Sequence, residues 1–442
     1  MRPRILGFLL LASLAAGAHA TVVRAEENQA RGAELRYAVV LSRHGVRSPT
    51  WTRERLNQYS AEEWPDWGVP PGHLTVHGRR LVELLGSYYR DYFSDAGLYS
   101  ARGCDDANRL FIRANTIQRT LETARALASA MLPGCRVQVH SLPAGTVDPL
   151  FRPVGAGVGR PDRAVAVASI MGRLGSRPGA LVEPHRPAME EVQQVLLGCV
   201  PGPGCPPDGQ PVAELFMDLP VSVAAGEGDK LADVGGSFGT ASTMAQNFLL
   251  EYANAMPEAD LGWGRVNEDN LRLMMGLRVA HADLAWRTPY LARASGSNLV
   301  SHVLKSIEQA VARRKVRGAL GAPTDRLLVI VGHDTNLSNV AGMLGLSWLL
   351  EGYQQDDTPP GGALVFEVWR DLVTREYTVR TYYVAQSLEQ MREARPLTLT
   401  FPPAKAPVFV PGCSTAADGF PCSWKGFRRV LESAIDPAFV KH

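Results

Sequence analysis

The sequence predicts an α/β protein built on a central sheet, with an inserted and mostly helical cap. Three observations carry that reading. Two short apolar runs, Leu35 to Leu41 (LRYAVVL) and Leu327 to Val331 (LLVIV), have the length and composition of buried strands. Each empties into a polar loop, and the carboxyl ends of strands are where open α/β sheets place their ligands. Between about 150 and 265 the chain turns Gly/Pro-rich and then helical, with no convincing strand.

In chain order, Thr75 to Phe93 has helical spacing through Leu81, Leu84, Leu85, Tyr88 and Tyr89. Leu110 to Arg113 is a brief strand leading to a helix from about 118 to 131. Glu190 to Leu197 and Ala241 to Met256 supply helices of the cap. Two longer helices, about 268–286 and 297–315, lead back to the strand at 327–331 and its loop Gly332-His333-Asp334-Thr335-Asn336. Ala363 to Trp369 and Tyr377 to Val384 alternate as a pair of strands closing the sheet. The expected division is 1–20 signal peptide, 21–150 first part of the α/β unit, 151–265 cap, and 266–442 second part.

At 442 residues, 45% hydrophobic and 20% charged, the chain has the makeup of a globular protein and not of a disordered or fibrous one. Arg2 and Arg4, the apolar run Ile5 to Ala16 and Ala18-His19-Ala20 read as an export signal cleaved after Ala20. About a dozen apolar residues are too few to span a bilayer. Cleavage leaves 44 basic against 44 acidic residues, so there is no overall field to draw nucleic acid or anionic lipid. An anion would need a local basic pocket. The expectation is a periplasmic or secreted monomer without a nucleic-acid or membrane partner.

The six cysteines fall into sequence-local couples, Cys104 with Cys135, Cys199 with Cys205 and Cys413 with Cys422. Six cysteines allow 15 pairings, so spacing does not fix the bridges, but local pairing is the expectation in an exported chain. The spacings do not match zinc motifs.

The sharpest signal is Arg43-His44-Gly45-Val46-Arg47-Ser48-Pro49. It sets an imidazole between two guanidiniums, with Gly45 letting the backbone come close. Arginine forks grip phosphoryl oxygens in pairs, and their charge favours the neutral imidazole that can attack phosphorus. A lone histidine beside surface arginines is usually structural. Five fixed residue types at about 5% usage each, however, give a chance match odds on the order of one in ten thousand.

With this motif upstream and His333-Asp334 far downstream, the sequence resembles the histidine acid phosphatase family, a branch of the histidine phosphatase superfamily. The likeness extends to Ala114-Asn115-Thr116-Ile117-Gln118-Arg119-Thr120, Val147-Asp148-Pro149-Leu150-Phe151, Gly262-Trp263-Gly264-Arg265 and Thr358-Pro359-Pro360-Gly361-Gly362, stretches similar to those of bacterial periplasmic phytases and glucose-1-phosphatases. The resemblance implies a phosphoglycerate mutase-like sandwich with a mixed sheet flanked by helices, an α insertion, locally paired disulfides, and neither metal nor cofactor. It makes His44 the phosphorylated nucleophile, with Arg43, Arg47, Thr50, Arg119 and His333 around the phosphoryl group. Asp334 becomes the proton donor to the leaving alcohol.

Substrate choice follows less directly. Phytases of the family carry lysine after the motif threonine, where this chain has Trp51 after Thr50; Gln246 and Asn115 stand where they tend to have acidic residues. Thr335 and Gly262 to Arg265 look more like the phytases. The expected activity is therefore hydrolysis of phosphate monoesters through phosphohistidine, phytase-like toward myo-inositol hexakisphosphate. A glucose-1-phosphatase or broad sugar phosphatase is the alternative. A non-catalytic phosphate-binding protein on the same fold is the alternative of another class, and a mutase is disfavoured by the export signal. His73 and His77 read as surface residues rather than a metal pair, and Arg313-Arg314-Lys315-Val316-Arg317 as a helix terminus.

Overall fold

The computed structural model describes residues 32–100, 103–200, 205 and 214–441. The expected export signal, 1–20, lies outside them. Strands β1 (Ala33–Arg43), β2 (Leu110–Ala114), β3 (Val139–His140), β6 (Leu327–Gly332), β7 (Ala363–Asp371), β8 (Tyr377–Ala385), β9 (Ala404–Pro407) and β10 (Cys422–Ser423) form one eight-stranded sheet. A separate hairpin pairs β4 (Ser222–Ala225) with β5 (Ala232–Gly235). The large sheet runs β10-β8-β7-β1-β6-β2-β3, with β9 beside β8. It is mixed: β1 is parallel to β6 and antiparallel to β7, and β6 is parallel to β2.

The apolar runs found in the sequence are buried because both faces of the sheet are covered. Along β1, Ala38 and Val40 face one core with Leu81, Leu85 and Tyr89 of α1 (Val76–Asp95) and Leu127 of α2 (Gln118–Met131). Val39 and Leu41 point the other way, into a second core that also holds Leu328 and Ile330 of β6. That period-two split makes the sheet the middle layer of a sandwich.

The segment expected as a cap, 151–265, contains α3 (Arg163–Arg173), α4 (Val182–Leu197) and α5 (Gly236–Ala253). Helix α6 (Glu268–Trp286), opened by a capping box on Asn267, packs on α4 and α5 and also on α8 (Asp334–Leu344), so it ties the cap to the sandwich. Helix α7 (Pro289–Ala312) and α10 (Trp424–Ala434) cover the second core together with α8, while the short α9 (Leu388–Glu393) touches α5. Helix α4 begins at Val182 where the sequence suggested Glu190, and α5 spans Gly236–Ala253 where it suggested 241–256; two further departures are larger. The β4–β5 hairpin was not expected, since its strands are only four residues each, β4 is largely exposed and β5 buries only Ala232 and Val234. Helix α7 starts at Pro289, earlier than 297, because Ala292, Ala294, Gly296 and Ser297 pack closely without any bulky apolar spacing. A Cβ on Gly296 would lie 2.5 Å from Met343 Sδ. Arg313 caps α7 in the left-handed region, so the basic run begins where the helix stops.

All three local disulfides are present, Cys104–Cys135, Cys199–Cys205 and Cys413–Cys422. Among the described residues no helix is long and apolar enough to cross a membrane.

Candidate active site

Strand register assembles the site. Arg43, the last residue of β1, pairs with Gly332, the last of β6, and Ala114, ending β2, pairs with Val331. The loops leaving these parallel strands therefore start side by side, although the first and second lie almost three hundred positions apart. Backbone bonds lock them: His44 N–H donates to Gly332 O at 3.0 Å, Asn115 N–H to Val331 O at 3.1 Å, and Gly361 N–H to His44 O at 3.0 Å. Helix α1 presses its first turn on the same loop. A Cβ at Gly45 would come within 2.6 Å of Val82 Cγ2, and one at Gly78 within 2.1 Å of Val46 O, so both glycines are required by the close approach.

His44 is 2% exposed and its Nδ1 lies 2.8 Å from Gly45 O. A carbonyl only accepts, so the proton sits on Nδ1 and the Nε2 lone pair is free. Burial, then Arg119 and Arg43, hold its pKa well below the ordinary histidine value, which keeps the ring neutral. His333 is also neutral, pushed down to about 3 by burial and Arg119. Asn115 fixes its tautomer. The Asn115 carbonyl accepts from Thr116 N–H at 2.6 Å, so its Nδ2 must be what faces His333 Nε2 at 2.8 Å. Nε2 then accepts and Nδ1 carries the proton. Arg119 Nη2 stands 3.5 Å from that Nδ1, two donors that can share an anionic acceptor but not each other.

Each of the three arginines is anchored to a carbonyl by one nitrogen: Arg43 to Thr358, Arg47 to Ser48 at 2.8 Å, Arg119 to Gly72 at 3.2 Å. Arg43 Nε, Arg47 Nε and Arg119 Nε are buried without a hydrogen-bond acceptor among the described residues, and Arg43 Nη2 has only an ion-pair contact with Asp334. Orphaned guanidinium donors are costly, and an anion satisfies them. Burial, with Arg119 and Arg43, lowers Arg47 to about 9, and burial lowers Arg119 to about 10; both stay cationic in acid.

Asp334 opens α8 and accepts Thr335 N–H at 2.9 Å on Oδ1. Its Oδ2 meets Arg278 Nη2 at 2.5 Å and Arg43 Nη2 at 3.3 Å. Burial alone would raise its pKa, but Arg43 and Arg278 hold it well below the usual carboxylate range. Asp357, in the loop before β7, is pushed up to about 6 by burial against the pull of Arg43.

Above this floor opens a cleft of about 920 Å³ lined by Arg119, Arg152, Lys230, Trp286, Asp334 and Thr335, among others. Arg152, next to the Asp148-Pro149-Leu150-Phe151 stretch, is salt-bridged to Asp229 in the β4–β5 turn. The structure thus brings together Arg43, His44, Arg47, Arg119, Asn115, His333, Asp334 and Thr335. Thr50 is exposed beside them in the motif loop. Trp51 turns instead to a separate hollow of about 280 Å³, packing on Tyr59 with Arg55 stacked 3.7 Å over its ring. Gln246 is buried on α5, its Nε2 without a partner among the described residues. His77 Nε2 is 2.7 Å from Met391 O, and no cluster of His, Cys, Asp or Glu suited to a metal occurs among the described residues. Sequence reasoning missed Arg278, Asp357 and Arg152. Single charged residues on a helix or in a loop carry no pattern of their own.

An α/β sandwich that gathers guanidiniums around neutral imidazoles at the ends of parallel strands defines a phosphoryl-transfer class of protein. The family model described as histidine phosphatase superfamily (branch 2) matches residues 34–160 and 260–384. Its unmatched middle contains α3, α4, α5 and the hairpin. Phytase AppA of Escherichia coli (strain K12) is 33% identical over 413 residues, covering 92% of this chain and 93% of that protein. A glucose-1-phosphatase of Providencia rettgeri is 26% identical over 447 residues, covering 99% and 100%. The structure of Hafnia alvei phytase in complex with tartrate superposes with a TM-score of 0.82 at 32% identity, covering 93% of this chain and 100% of that one. The chain belongs to the histidine phosphatase superfamily, branch 2, and is a phosphoric monoester hydrolase.

Proposed function

We propose that His44 is the nucleophile and Asp334 the general acid of a phytase-like acid phosphatase. The observation that carries this is the shared register of β1 and β6, which brings a neutral imidazole and a carboxyl to adjoining loops beside the same arginines. The His44 Nε2 lone pair attacks phosphorus in line, and the ester P–O bond breaks. Arg43, Arg47, Arg119 and His333 Nδ1–H donate to the equatorial oxygens, where charge spreads in the transition state. Asp334 gives its proton to the departing alkoxide. Water then attacks the phosphohistidine and returns a proton to Asp334, releasing phosphate and neutral His44.

Asp334 is ionised in the empty site, where Arg43 and Arg278 both face it. An incoming phosphoryl group brings negative charge and competes for Arg43, so the carboxyl takes up a proton more easily in the complex. Activity is accordingly greatest in acid. The three disulfides fit an oxidising compartment, which agrees with export to the periplasm.

For the substrate, the cleft sits at the upper end of the roughly 300–1,000 Å³ typical of ligand pockets, room enough for a phosphorylated ring. Arg119 is its uncompensated cation, since Arg152 is paired with Asp229 and Lys230 with Asp233. A Hafnia alvei phytase, 31% identical with a TM-score of 0.81, is known in complex with myo-inositol hexakis sulphate, which supports the same reading. Sugar phosphatase is the second reading, supported by the likeness to a Providencia rettgeri glucose-1-phosphatase. Turnover of phytate, glucose 1-phosphate and nitrophenyl phosphate near pH 5 separates them. Phytate is expected to lead, and His44→Ala to abolish all three activities; an active His44→Ala protein overturns the assignment.

A further inference from the structure

Four guanidiniums approach the site, and one differs in what it faces. Arg43, Arg47 and Arg119 each spend a nitrogen on a backbone carbonyl and leave other donors free. Arg278, midway along α6, is directed at the carboxylate, with Nη2 2.5 Å from Asp334 Oδ2. Its side chain is 12% exposed, and its guanidinium lies 4.4 Å from the centre of the Trp286 ring, two turns further along the same helix. A stacked, buried guanidinium has few other rotamers, so its charge is fixed.

The groups facing Asp334 are Arg43 at the end of β1, His44 and Arg47 in the following loop, Arg119 on α2, its neighbour His333, Arg278 on α6 and Asp357 before β7. Once a phosphoryl group is bound, Arg43, Arg47 and Arg119 have an anion to satisfy. Arg278 remains with Asp334. Resting on the reading of Asp334 as proton donor, we propose that Arg278 is a positioning residue that holds the Asp334 carboxyl in place and sets the upper pH at which it still carries the proton for the leaving group.

The sign is fixed by charge. An adjacent cation favours the carboxylate, so removing it lets Asp334 stay protonated to higher pH, and the alkaline limb of kcat moves upward. Arg278→Met is expected to move that limb by about one unit, the low end of what one close opposite charge does to a carboxyl, with KM for nitrophenyl phosphate changed less than about threefold. Arg278→Lys, which keeps the charge, is expected to restore the limb to near its native position. If Arg278→Met does not fold, Trp286→Leu loosens the same guanidinium without changing site charge and is expected to give a smaller shift in the same direction. A limb that stays in place in the folded variants overturns the inference, as does a KM increase of tenfold or more with the limb unmoved, which would make Arg278 a phosphate ligand. Asp334→Asn separates the underlying reading. If it slows glycerol phosphate no more than nitrophenyl phosphate, the donor assignment itself fails, whatever Arg278 does.

Discussion

At the floor of the cleft the proposed reacting groups follow the ends of parallel strands, and backbone hydrogen bonds fix their loops. The wall opposite is built from α6 and the β4–β5 hairpin and is held by side-chain pairs, Arg278 with Asp334 and Arg152 with Asp229. Register fixes the floor through the backbone, whereas of the wall's two pairs only Arg278–Asp334 is buried, and the part-exposed Arg152–Asp229 pair contributes roughly 1 kcal/mol or less. The difference suits a floor that performs one chemistry and a wall that can be altered to change what is held.

The steepest loss belongs to the floor. Asp334→Asn is expected to slow alkyl phosphates by roughly 10²–10⁴-fold, the range of general acid catalysis, and nitrophenyl phosphate far less because its leaving group needs no proton. Paired initial rates on the two ester types check this, and equal losses would break the distinction drawn for the floor. Next comes the group that orients His333. Asn115→Ala removes the bond that fixes the tautomer and is expected to lower kcat about fivefold, the equivalent of the ~1 kcal/mol of a typical buried hydrogen bond. Asn115→Asp is the sharper arm, since a carboxylate at Nε2 would raise the His333 pKa.

The wall answers differently. Arg152→Ala, at a side chain 41% exposed, is expected to raise KM for phytate by roughly threefold while leaving nitrophenyl phosphate unchanged. Equal effects on both substrates would mean that the wall reaches the chemistry.

The floor was legible in the sequence and the wall was not. LRYAVVL and LLVIV announce buried strands, and the Arg43 to Pro49 and His333-Asp334 motifs are contiguous runs, so local pattern locates them. Arg278 becomes significant only when α6 is docked beside α8, which no periodicity in 268–286 reveals. The hairpin is short, and α7 begins among alanines and serines whose burial reflects close approach rather than hydrophobic spacing. Trp51 shows the converse: a conspicuous residue beside the motif packs against Tyr59 and Arg55, away from the main cleft.

The smallest effect lies in the support behind the wall. Glu251 on α5 is buried, accepts Gly262 N–H at 3.0 Å, and is pushed up to about 8 by burial. A carboxyl whose folded pKa lies above its unfolded value costs nothing while protonated in both states. Its ionisation begins to favour the unfolded chain as pH rises above the unfolded value, and the cost grows until the folded pKa is passed. Glu251→Gln keeps an acceptor for Gly262 and is expected to raise Tm by a few degrees at pH 8 and to leave it unchanged at pH 4, at about 2–4 °C per kcal/mol for a chain this large. Thermal scans at the two pH values measure it.

The most direct test of the central claim is chemical trapping of the intermediate. Rapid quenching during turnover of nitrophenyl phosphate, followed by peptide mapping under alkaline conditions, is expected to find an acid-labile phosphate on the peptide containing His44, absent from His44→Ala. Phosphate on His333, or turnover at full rate with no phosphorylated peptide, would contradict the account.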